Sequence, residues 1–161
     1  MPHRNPLVNP RLAVFATVFL LLAGCGGSGG SKPAALPQWS GPPRADSAGH
    51  VAVSGYDDFL AGDGKVFARS PTAATSEFLR LDRTGALQTT VQATSPGEVR
   101  NFSEVVATLV GLQDDSVRDA RYTLEFQKDR ASGDWRLRAA DYAQRCRPGR
   151  GHQTFSPELC S

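Results

Sequence analysis

The chain has 161 residues, with 18 basic side chains against 16 acidic ones and three cysteines. That length allows one modest domain. The near-neutral balance provides no global field for gathering nucleic acid, so any electrostatic recognition has to come from a local cluster.

Met1 to Arg11 carries Arg4 and Arg11 and no acid, and Leu12 to Ala23 follows with Thr17 as its one polar residue. A basic start ahead of a short apolar run is the pattern of an export signal. The run is shorter than the roughly 20 apolar residues that a spanning helix needs. It ends in Leu21-Leu22-Ala23-Gly24-Cys25, which resembles the lipobox of bacterial lipoproteins. The resemblance covers about the first twenty-five residues. It implies diacylglycerol on the Cys25 sulfur, cleavage before Cys25, and an envelope protein whose first partner is a membrane. A thiol is the nucleophile that accepts the lipid, and two or three acyl chains hold a protein durably where one binds reversibly. Gly26 stands where an aspartate often marks inner-membrane retention, so the resemblance favours the periplasmic face of an outer membrane. The expected division is a signal peptide over 1–24, a lipid-anchored linker over 25–48 and one domain over 49–161.

Gly, Pro and Ser make up more than half of residues 26–48. A tether of that composition reaches roughly 25 Å. Trp39 is out of character there, and docking onto the body and exposure in the tether both remain open.

Within the body, Ser54 is a capping candidate for a short helix bearing Tyr56, Phe59 and Leu60 and closed by Gly62. Ser70-Pro71 opens a second helix with Ala74, Phe78 and Leu81 on one face. The competing reading makes Glu77–Leu81 and Ala86–Ala93 a hairpin; the helix is preferred. Phe102 to Leu112 reads as a central strand, apolar and β-branched on both faces. Ala120, Tyr122, Leu124 and Phe126 alternate with polar residues, and Trp135, Leu137 and Ala139 do the same beyond a turn at Ser132-Gly133. The predicted fold class is α+β, with short N-terminal helices packed on an antiparallel meander. The closing hairpin faintly resembles the last strands of cone-shaped folds such as nuclear transport factor 2 or cystatin, which implies shape alone.

Cys146 and Cys160 remain once Cys25 is assigned to lipid, and in an exported chain such a pair reads as a disulfide. The loop between them holds Arg147, Arg150 and His152, with Arg145 just before it. Its first reading is a staple for the C-terminus, ending in a helical turn capped by Ser156. A second is an anion site built from Arg145, Arg147, Arg150 and His152, suited to an anionic glycan. A zinc site of Cys146, His152 and Cys160 matches no closed tetrahedral spacing, and neither metal nor cofactor is expected.

Catalytic residues are sparse. His50 and His152 are the histidines beyond the signal segment, and no nucleophile motif or phosphate loop occurs. Asp57-Asp58 and Asp114-Asp115 stand where aspartate commonly caps helices and turns. The expected function is a non-enzymatic binding or accessory role toward an envelope protein or glycan, through the sheet face or terminal loop. The alternative is a small envelope hydrolase or an inhibitor of one.

Overall fold

The computed structural model describes residues 39–41, 44–94 and 101–161. Cys25, the signal segment and most of the expected linker lie outside the described residues. The linker's last part belongs to the body: Trp39 stacks on Phe78 with ring centroids 5.2 Å apart and donates from its indole nitrogen to the Phe78 carbonyl at 2.8 Å. Trp39 therefore packs with the body. An aromatic ring with one polar atom gains from burial wherever a carbonyl satisfies that atom.

Two short helices precede four strands in the chain. They begin at Gly55, well inside the sequence, so "N-terminal" does not describe them. Helix α1 (Gly55–Ala61) buries Tyr56, Phe59 and Leu60, and Gly62 closes it, but the Ser54 side chain makes no cap bond. Helix α2 (Pro71–Phe78) starts as expected, with Ser70 accepting a bond from the Ala73 amide and proline at the first turn. The buried Thr75 hydroxyl is satisfied within the helix by the Pro71 carbonyl at 2.8 Å. The helix stops before Leu81 because Arg80 takes a left-handed conformation, φ 51°, and a short 3-10 turn over Leu81–Arg83 follows.

The hairpin alternative is overturned for the first segment and half-right for the second. Gln88–Thr94 is indeed a strand, β1, but its partner is β2 (Phe102–Val110). The antiparallel sheet continues through β3 (Val117–Lys128) and β4 (Trp135–Cys146) in the order β1-β2-β3-β4. The β3–β4 turn is held by the Asp129 carboxylate, which accepts from the Ala131 and Ser132 amides. Asp114 does the same for the Ser116 and Val117 amides at the head of β3.

Strand β2 is central, as its sequence suggests, yet it is buried on one face alone: Ser103, Val105, Ala107 and Leu109 are covered and the residues between them are half-exposed. Both helices pack on that face, where Tyr56, Phe59 and Phe78 meet Val105, Leu124, Phe126 and Ala140. Burying each of the large side chains among them, such as Leu124 or Phe126, contributes roughly 1.5–3 kcal/mol. Among the described residues, no helix is long and apolar enough to cross a membrane.

Candidate functional site

The helices cover one end of the buried sheet face. At the other end, the register sets Tyr122 opposite Tyr142 and Ala120 opposite Gln144, so two phenol rings stand side by side with centroids 5.0 Å apart. The chain's two flanks close round them. Val51 donates to the Ala140 carbonyl and Tyr142 to the Gly49 carbonyl, while Gln144 and Ser156 exchange backbone bonds. Gly49 is obligatory here: its φ is +91°, and a Cβ would stand 2.6 Å from the Tyr142 carbonyl oxygen and 2.8 Å from Pro157.

The result is a cavity of about 360 Å³ walled by Tyr122, Tyr142, Pro157 and Leu159, with Gln144 within it and Arg44 among its lining residues. That volume falls in the range of small-ligand sites. Tyr142 donates to the Gln144 amide oxygen at 2.9 Å, and the Gln144 nitrogen donates to the Glu158 carbonyl at 2.7 Å. The Tyr122 hydroxyl has no partner among the described residues, and neither has the Arg44 guanidinium. Burial pushes the Tyr142 phenol up to about 12 and raises that of Tyr122. Both rings are therefore neutral donors at physiological pH, suited to binding a ligand and unsuited to accepting a proton from one.

The terminal loop is built differently from the anion site that its sequence allows. Cys146 and Cys160 are joined, with Cα atoms 5.5 Å apart. Arg145 turns inward to Asp119, its Nη2 at 2.6 Å, and its guanidinium lies over the Phe155 ring. Arg147 donates to the Asp114 and Leu112 carbonyls at 2.7 and 2.9 Å. His152 sets Nδ1 against the Thr154 carbonyl and Nε2 against the Glu158 carbonyl, at 2.8 and 2.9 Å. Those two backbone acceptors, Glu158 first, raise its pKa. Three of the four candidate anion donors are thus spent on internal bonds, which leaves Arg150. The capped helical turn expected at Ser156 is absent too; Ser156 forms an isolated bridge to β4. A carbonyl-lined loop can be satisfied from side chains as well as from a helix, and here Arg147, His152 and Gln144 supply the donors.

The metal-type cluster also assembles, with ligand atoms of Cys146, His152 and Cys160 all within 4.8 Å. In this arrangement the sulfurs are bonded to each other and both imidazole nitrogens face carbonyls, so the donor set does not fit a cation. His50 meets Asp141 at 2.7 Å, with both side chains more than half exposed, and that bond raises the histidine's pKa. Neither histidine lines the tyrosine-walled cavity. A wider basin beside the β3–β4 turn collects Lys128, Arg130, Arg136 and Arg138, but Arg136 leans on Asp57 and Arg138 on Gln127.

Sequence reading missed Tyr142, Gln144 and Arg44 as site residues. The strand reading stopped at Ala139, and a register shift that pairs Phe126 with Leu137 but Glu125 with Ala139 moves the inward phase by one residue, from Leu137 to Ala140, Tyr142 and Gln144.

Fold and site together define a small α+β scaffold whose single buried sheet face is divided between a helix-covered core and a ligand-sized, tyrosine-walled cavity. No family model, curated protein or solved structure matches the chain.

Proposed function

We propose that this protein is a lipid-anchored envelope protein of bacteria that binds an anionic sugar, with no reaction at the site. The observation that carries the binding reading is the cavity of about 360 Å³ at the uncovered end of the sheet. Its tyrosine rings offer apolar area to the hydrogen-bearing face of a pyranose ring. The Tyr122 hydroxyl offers a donor and Arg44 a charge for a carboxylate. The lipobox-like Leu21-Leu22-Ala23-Gly24-Cys25 supports the anchor, and the oxidised Cys146–Cys160 pair accords with an exported address. The cone-shaped scaffold remains a reading of shape. A hydrolytic role has the exposed His50–Asp141 pair in its support, and that pair stands apart from the cavity.

The test is calorimetric titration of the detergent-extracted full chain with glucuronic acid oligosaccharides. Tyr122→Phe removes a hydroxyl that has no partner among the described residues, so melting should stay within roughly 0.5 kcal/mol of the parent. Binding should weaken at least about tenfold in Tyr122→Phe and in Arg44→Gln. Absence of binding by the parent, or binding by both variants as tight as the parent's, refutes the assignment.

A further inference from the structure

The two edges of the sheet are treated in opposite ways. The outer edge of β4 is covered twice, by the segment at Gly49–Val51 and by Ser156. The outer edge of β1 pairs with nothing among the described residues. Exposed edges are ordinarily blunted by lysine, proline, a bulge or a covering segment. Among the described residues strand β1 has none of these, and Gln88-Thr89-Thr90-Val91-Gln92-Ala93-Thr94 contains no charge and no proline. Its pairing with β2 runs one-to-one without a bulge, from Gln88 opposite Val110 to Thr94 opposite Glu104.

We infer that β1 is a self-association edge, pairing antiparallel with β1 of a second copy of this chain so that the four-stranded sheet doubles across a two-fold axis. Two considerations fix the occupant and the register. Residues directly opposite in an antiparallel pair share a face, and faces alternate along the strand, so the axis of a self-pair passes through a residue. Centring it on Val91 is the choice that pairs all seven residues. Gln88 then faces Thr94 of the second copy, Thr90 faces Gln92, and each reciprocal pair is the same.

The even-numbered row therefore reads Gln-Thr-Gln-Thr against Thr-Gln-Thr-Gln, an amide opposite a hydroxyl at each position. The odd row brings Val91 against Val91 and Thr89 against Ala93. Val91 packs on the helix-covered core, so these contacts extend an apolar surface already present. A strand whose reflected positions set amide opposite hydroxyl, and which is free of charge, is complementary to itself. An unrelated extended peptide would meet the same backbone groups without that side-chain match.

Pairing places the two Val91 Cα atoms about 4.5–5.5 Å apart, within the range a disulfide bridges. The experiment follows Val91→Cys in the full chain, in intact cells, with diamide as the oxidant that takes up the two thiol hydrogens. A reducible dimer on non-reducing gels is expected, absent from the parent chain. Two further substitutions test the register on that background. Thr90→Lys with Gln92→Lys sets like charges opposite each other and should cut the dimer at least about tenfold; Thr90→Lys with Gln92→Glu sets opposite charges together and should retain it. Because both triple variants carry the same lysine at position 90, loss of folding would remove both dimers. A missing dimer in Val91→Cys, the same yield in all three variants, or loss in both triple variants overturns the inference.

Discussion

Replacing Asp119 by asparagine removes one charge from the most heavily bonded carboxylate of the described residues and leaves its shape nearly unchanged. Asp119 is 1% exposed. One oxygen accepts from the Gly111 amide at 3.0 Å, and the other from Arg118 at 2.9 Å and from Arg145 at 2.8 Å. A hydrogen bond to a charged group contributes about 1.5–3 kcal/mol. Both arginines are about one-third exposed, 36% and 32%, so each recovers part of its hydration once the partner charge is gone. The expected cost of Asp119→Asn is about 2 kcal/mol. Asp119→Ala also orphans the Gly111 amide and should cost about 3–5 kcal/mol.

The same residue sets an acid limb. Burial alone would raise the Asp119 pKa, but the Gly111 amide, Arg118 and Arg145 outweigh it and hold the group below its ordinary 3.8. A depressed folded value means that the stabilisation is complete above about pH 4 and is lost as pH falls through the folded pKa. Urea denaturation of parent and variants at pH 7, repeated down to about pH 2.5, measures both effects. Asp119→Asn should show the lower midpoint at pH 7 and a shallower loss in acid. A pH 7 stability within about 0.5 kcal/mol of the parent would refute the clamp, and an unchanged acid limb would refute its titration.

Two further outcomes follow from the loop and the cavity wall. Cys160→Ser opens a link between residues 14 apart in sequence, and should lower unfolding free energy by about 3 kcal/mol in non-reducing urea titrations, with the parent falling to the same value once a reductant is added; matching midpoints with and without reductant would contradict it. Gly49→Ala forces a Cβ to within 2.6 Å of the Tyr142 carbonyl oxygen at φ +91°, and should cost at least about 2 kcal/mol by thermal melting and abolish sugar-acid binding in the calorimeter. Unaltered melting would show that this flank is free to move aside.

The parts of the fold legible in the sequence are those whose signal is local. Alternation over Ala120–Phe126 marks a strand because one face is apolar and the other polar, and the buried set there matches it. Ser70-Pro71 and Gly62 mark helix ends because capping and chain termination need those residue types at those positions. Strand β1 was harder to assign: with Val91 its one large apolar residue, nothing nearby says whether it pairs with the segment before it or with β2. Asp119 was invisible for another reason. It shares a face with Val110 and Arg145, opposite to that of Ala120, and is enclosed there by the Gly111 amide, Arg118 and Arg145, groups that period-two reading does not bring to it.

By itself, then, the sequence determined where α1, the start of α2, β2 and β3 form and which face β3 buries, since spacing along the chain dictates which side chains share a side. It also narrowed the terminal cysteines to a pair. The tertiary structure decided what Arg145, Arg147 and His152 bond to, and it moved the candidate site from those residues to the cavity between Tyr122 and Tyr142. That choice depends on distances between groups remote in sequence, such as Asp119 from Arg145 and Tyr142 from Gly49. Sheet register and chain closure set such distances, and no periodicity along the chain encodes them.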